Sequence, residues 1–152
     1  MKKKTVRVTA IRVKIKEIDE GVRLVQEHLP GNAKEFRKLG LVKDGIYKRI
    51  EFAIEDVFDI CAILNADLEL GIPGEDEDIL VHLVDKGLIS PGMQEKIHAM
   101  RGFRNIVVHR YGAIDDILAF HLLTENIGDF FLFASEIEKV LETLCPRKKQ
   151  QE

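Results

Sequence analysis

Apolar residues recur every three or four positions along almost the whole chain, the spacing that puts them on one face of a helix. Ile11, Ile15, Ile18, Val22, Val25 and Leu29 predict a first amphipathic helix, halted by Pro30-Gly31. Residues 32 to 40 are polar and irregular and predict a connection ending at Gly40. Val42, Ile46, Ile50, Ala53, Val57, Ile60, Leu64 and Leu68 predict a long second helix that stops before Gly71-Ile72-Pro73-Gly74. The acidic run Glu75 to Asp78 suits the positive end of a helix dipole and opens a short helix through Ile79, Leu80, Leu83 and Val84, closed by Gly87. Ser90-Pro91 is a strong start signal, a capping hydroxyl followed by proline at the first helical position. That helix is expected to end near Gly112, and Asp115 or Asp116 to open the last one. There Phe120, Leu123, Ile127, Phe130, Ala134, Ile137, Leu141 and Leu144 keep a near-heptad stripe to the end. Thr5 to Thr9 alternate as a strand would, to pair with a second copy or to lead into the first helix. The expectation is an all-α, up-and-down bundle of four main helices plus one short helix. It forms a single domain over 1–152, with 1–10 an N-terminal extension and 146–152 a polar tail.

Composition narrows the class. At 45% hydrophobic and 32% charged, the chain of 152 residues reads as a soluble domain with a substantial core. No apolar run reaches the length of a membrane span, and Met1-Lys2-Lys3-Lys4 is not followed by a signal-type stretch, so cytoplasmic residence without membrane contact is the expectation. Cys61 and Cys145, the two cysteines, lie far apart and suggest neither a zinc site nor a disulfide; Cys61 reads as core. No metal or cofactor is expected. The net charge of −3 and the absence of Trp argue against a broad nucleic-acid platform, which leaves room for a compact local site.

The most unusual chemistry lies in the fifth predicted segment. Met93, Ile97, Met100, Arg104, Val107 and Tyr111 share one helical stripe, so Arg104 stands where core is expected. His98, Gly102, Asn105 and His109 form a second, polar stripe beside it. A cation in an apolar stripe needs a partner or a task, because uncompensated loss of hydration is costly. Taken singly, each residue fits a satisfied core histidine or an arginine whose stem reaches out to water. Together they point to a site.

Gly102-Phe103-Arg104-Asn105-Ile106-Val107-Val108-His109-Arg110-Tyr111 resembles the signature of HEPN-domain proteins, an arginine and a histidine separated by four residues. The glycine-aromatic lead-in, Asn105, the tyrosine two residues after the histidine and the following Ile114-Asp115 are similar to the HepT-like branch. In helical pattern the likeness runs over roughly residues 11 to 144. That branch comprises toxins paired with a minimal nucleotidyltransferase antitoxin, and the resemblance implies such a partner here. It also implies that Tyr111 is the acceptor of AMP groups added by that partner.

Residue types separate the chemistries available. A di-iron bundle requires two Glu-x-x-His pairs, and only Glu95 to His98 fits. No motif supports a serine or cysteine nucleophile beside His109. Metal-independent RNA cleavage needs a histidine to move the proton of a ribose 2′-hydroxyl and an arginine to hold the phosphate as charge builds. His109 and Arg104 supply both, and the family resemblance implies the same reaction. Asn105 would orient His109 or bind the phosphate. On one ideal helix Arg104 and His109 lie about 140° apart, so a homodimer with facing motif helices is expected to unite them in one cleft. The alternative is a non-catalytic subunit that docks a minimal nucleotidyltransferase and holds its nucleotide near Tyr111.

Overall fold

The computed structural model describes residues 5–109 and 114–146 and, at Val108 and His109, the helical backbone alone. Among the described residues seven helices follow one another: α1 (Val8–His28), α2 (Ala33–Arg37), α3 (Leu41–Asp67), α4 (Asp76–Asp85), α5 (Pro91–His109), α6 (Asp116–Asn126) and α7 (Asp129–Leu144). No strand occurs among the described residues. The predicted all-α bundle is therefore found, and α3 is its axis, packed against α1, α4 and α5.

Ion pairs record the up-and-down order. Arg7, just before α1, grips Asp67 at the far end of α3 at 2.9 Å, while Lys14 reaches Asp59 at 3.3 Å. Rising numbers on α1 thus meet falling numbers on α3, as in an antiparallel pair. Ser90 and Lys96 at the start of α5 likewise meet Glu136 and Asp129 of α7 in reverse order. The predicted start signals hold. Ser90 Oγ accepts from the Met93 N–H at 3.0 Å, Asp115 accepts from the Leu118 N–H at 3.1 Å, and Glu75 and Asp78 form a reciprocal capping box.

Three details differ from the sequence expectation. The polar stretch 32–40 contains α2, which Asn32 caps and which is pinned by the fully buried Phe36, packed edge-on against Tyr47. A helix this short cannot show a period, and its single apolar anchor takes its meaning from the partner helices. The expected last helix is divided at Ile127-Gly128, where Phe131 N–H turns back to the Gly128 carbonyl, a tighter i→i+3 bond. Glycine weakens helix there, and the near-heptad stripe continues across the break because both halves bury the same face. The strand-like start is not a strand beyond Arg7, since α1 begins at Val8.

The core is continuous through the bundle. Ile11, Ile18, Ile54, Leu64, Ile97 and Phe133 are sealed from solvent, and Cys61 is buried among them as expected. Contrary to expectation, the stretch Asp116–Leu144 is long and apolar enough by composition to cross a membrane. Here its inward residues Phe120, Leu123, Phe130, Ile137 and Leu141 are core.

Candidate functional site

The exposure pattern along α5 reproduces the two predicted stripes. Met93, Ile97, Met100, Phe103 and Val107 are buried, while His98, Gly102 and Asn105 are exposed on the opposite side. By backbone register, position 109 shares the helix face of these three residues. Gly102 leaves open space where a Cβ would stand, so a ligand can approach the helix backbone between Arg101 and Phe103.

Arg104 stands in the apolar stripe yet is only half-buried. Its side chain is 35% exposed and its Nη2 stands 3.9 Å from Glu55 Oε1 of α3, an ion pair at the limit of contact. Its Nε is buried and meets no hydrogen-bond acceptor among the described residues. A guanidinium cannot relieve such a mismatch by losing its proton, and an orphaned buried donor costs about 1–3 kcal/mol. Arg104 is thus fixed at its stem by packing, with donors left under-used at its head. A planar anion with two oxygens is the group that such a fork satisfies best.

The other predicted residues are distributed unevenly. Asn105 is exposed one turn before position 109, as its spacing requires. His109 is the last residue of α5, and Tyr111 lies outside the described residues. Arg104 and position 109 remain on different faces of one helix, as the register demands.

Two carboxylates that sequence reasoning missed face this helix. Glu55 reaches Arg104 from α3, and Glu77 reaches α5 from the first turn of α4, with Oε1 2.7 Å from His98 Nδ1 and 3.4 Å from Arg101 Nη1. Glu77 was expected only to favour the helix dipole, which it also does. No local pattern could have revealed either contact, because each joins two separate helices.

Beyond the motif the chain returns through a polar clamp. Asp116 in the first turn of α6 accepts from Tyr47 OH at 2.6 Å and from Lys43 Nζ at 2.8 Å, both on α3. Burial pushes the Asp116 carboxyl upward, and the bonds from Lys43 and Tyr47 outweigh it, holding the group below the usual carboxylate range. Tyr47 is driven the other way, above the ordinary phenol range, by burial and by the Asp116 carboxylate. Beside the clamp, Phe103 and Ile106 of α5 and Leu118 and Leu122 of α6 line an apolar hollow. Among the described residues no group of acidic, histidine or cysteine side chains is arranged to hold a metal.

The fold and the under-paired arginine on α5 define a helical bundle with a candidate anion site, and comparison with known proteins names its family. The profile of the HepT-like ribonucleases matches residues 18–137, and the chain belongs to that family. It is similar to the mRNA nuclease HepT of Shewanella oneidensis, 26% identical over 125 residues that span 82% of this chain and 93% of that protein. Among solved structures it resembles a tri-AMPylated Shewanella oneidensis HEPN toxin in complex with an MNT antitoxin. There the TM-score is 0.75 at 26% identity, covering 85% of this chain and 96% of the other. The cytosolic protein YutE of Bacillus subtilis, of unknown function, has the same fold, with a TM-score of 0.79 at 16% identity over 95% of this chain and 96% of that one. The HEPN resemblance drawn from the motif is borne out.

Proposed function

We propose that this chain is a metal-independent endoribonuclease of the HepT-like kind, acting as a homodimer and held in check by a minimal nucleotidyltransferase. The observation that carries the reading is Arg104, whose Nε lacks an acceptor among the described residues and whose head is only loosely paired with Glu55. In the reaction the ribose 2′-oxygen attacks the adjacent phosphorus and the bond from phosphorus to the 5′-oxygen breaks. His109 takes the 2′-hydroxyl proton, and a proton is returned to the departing 5′-oxygen. Arg104 binds the phosphate oxygens most strongly as their charge builds in the transition state. Asn105 steadies His109 or the phosphate from one turn away.

Because Arg104 and His109 occupy different faces of α5, two motif helices across a two-fold axis would bring one subunit's arginine to the other's histidine. The apolar surface beside the motif supports that association: Leu118 is about half exposed and Ile106 and Leu122 are part-exposed around the hollow between α5 and α6. The related toxin carries three AMP groups in complex with its MNT antitoxin. Tyr111 is our assignment for the acceptor here. An adenylate would add bulk and negative charge beside the arginine that otherwise takes RNA phosphate.

The test is incubation of the purified protein with total cellular RNA in EDTA. Cleavage lost in both the Arg104→Ala and the His109→Ala variants, with helical content intact, supports the reading. Intact RNA would instead favour a non-catalytic subunit of a nucleotidyltransferase complex. A monomer at micromolar concentration in sedimentation, without partner, would refute the shared cleft.

A further inference from the structure

One carboxylate oxygen, Glu77 Oε1, is shared by His98 and Arg101, at 2.7 and 3.4 Å. These two side chains come from neighbouring turns of α5, and Glu77 comes from α4. His98 is 62% exposed and Arg101 36%, so the arrangement opens to solvent. His98, Gly102, Asn105 and position 109 follow one line along the helix, with Arg101 at its edge. At about 1.5 Å per residue, His98 lies roughly 16 Å from position 109, a distance of two to three nucleotides on an extended strand. Beyond its own helix, no described atom lies within 4 Å of where a Cβ on Gly102 would stand.

Resting on the ribonuclease reading, we propose that His98 and Arg101 form a second phosphate-binding point for the RNA strand flanking the scissile bond, and that Glu77 occupies it in the free protein. The Glu77 carboxylate presents an anionic oxygen where a phosphate oxygen would sit. RNA binding replaces it, and Glu77 is released to water. Glu55 stands in the same relation to Arg104, at 3.9 Å. The two acidic residues shield cations on different faces of α5, and a chain of net charge −3 takes up RNA best where phosphates displace such carboxylates. The exchange is cheap because a solvent-exposed ion pair of this sort is weak.

The experiment is fluorescence anisotropy with a labelled single-stranded RNA of about twelve nucleotides. The RNA is 2′-O-methylated throughout, so that binding is read without cleavage, and affinity is followed against salt. Arg101→Ala should weaken binding about five- to tenfold and lower the salt slope by about 0.7, the loss of one phosphate contact, with Arg101→Lys restoring most of that slope. Glu77→Gln should tighten binding about two- to fivefold, since it removes the competitor. A merely structural Glu77 would give unchanged or weaker binding in that variant, and this outcome overturns the proposal. So does an unchanged affinity and slope in Arg101→Ala while Arg104→Ala binds poorly. If the parent protein binds no RNA at all, the ribonuclease reading itself falls. Circular dichroism of each variant checks that the bundle has folded.

Discussion

Removing the Asp116 carboxylate tests whether the clamp between α3 and α6 holds α6 to the bundle. Tyr47 is nearly sealed from solvent at 5% exposure, and its hydroxyl donates to Asp116 Oδ1 at 2.6 Å. In Asp116→Ala that hydroxyl loses its acceptor, which costs about 1–3 kcal/mol for a buried donor. Lys43 loses its partner too, but at 21% exposure it regains water, so that part is about 1 kcal/mol or less. The sum is about 1–4 kcal/mol, a large share of the stability of an ordinary domain. Asp116→Asn keeps an acceptor and should lose only about 1 kcal/mol. Urea unfolding followed by circular dichroism at pH 7 measures both, and Tyr47→Phe completes a double-mutant cycle with an expected coupling of about 1–2 kcal/mol. The sign with pH follows from the depressed carboxyl. The stabilisation is present above the unfolded value of about 3.9 and is lost as pH falls through the lower folded value, so Asp116→Asn should flatten the acid limb. Tyr47 adds an alkaline limb, because the native protein keeps a proton that the unfolded chain loses above about pH 10. If Asp116→Ala loses less than about 1 kcal/mol and shows no coupling to Tyr47→Phe, the clamp is incidental and the reasoning fails.

The remaining predictions concern the site and the core. Arg104→Lys keeps the charge but loses the fork, and should reduce RNA cleavage at least tenfold in single-turnover assays with helical content unchanged. Tyr111→Phe should abolish AMP incorporation from ATP and magnesium by the partner nucleotidyltransferase, read by mass spectrometry, while the unmodified variant still cleaves RNA. Burial between α1 and α3, with Glu17 beside it, raises the Asp56 carboxyl to about 7, and Lys14 opposes the shift. The native state thus holds a proton that the unfolded chain releases, so stability should fall as pH rises from about 4 to 7, by at most about 1.4 kcal/mol per pH unit, and Asp56→Asn should remove that slope in thermal unfolding. Phe133→Ala opens a cavity at a fully buried position and should lower the unfolding free energy by about 3–5 kcal/mol.

Periodicity alone determined most of the architecture. Each long helix buries its own apolar stripe, so Ile11 to Val25, Ile46 to Leu64 and Phe120 to Leu141 announce their inward faces before any partner is known, while Val42 and Leu144 at the ends stay exposed. Caps are equally local, which is why Ser90, Asp115 and the acidic start of α4 were legible. So was the motif, because a cation in an apolar stripe is a one-dimensional fact. What tertiary structure decided is which charges meet. Glu55 on Arg104, Glu77 on His98 and Arg101, and Tyr47 with Lys43 on Asp116 each join separate helices. Polar side chains on exposed faces carry no period that encodes a partner, and only the packing of α3, α4 and α6 around α5 sets the distances. The short α2 belongs with them, since Phe36 becomes a core anchor only once Tyr47 and Phe120 stand around it.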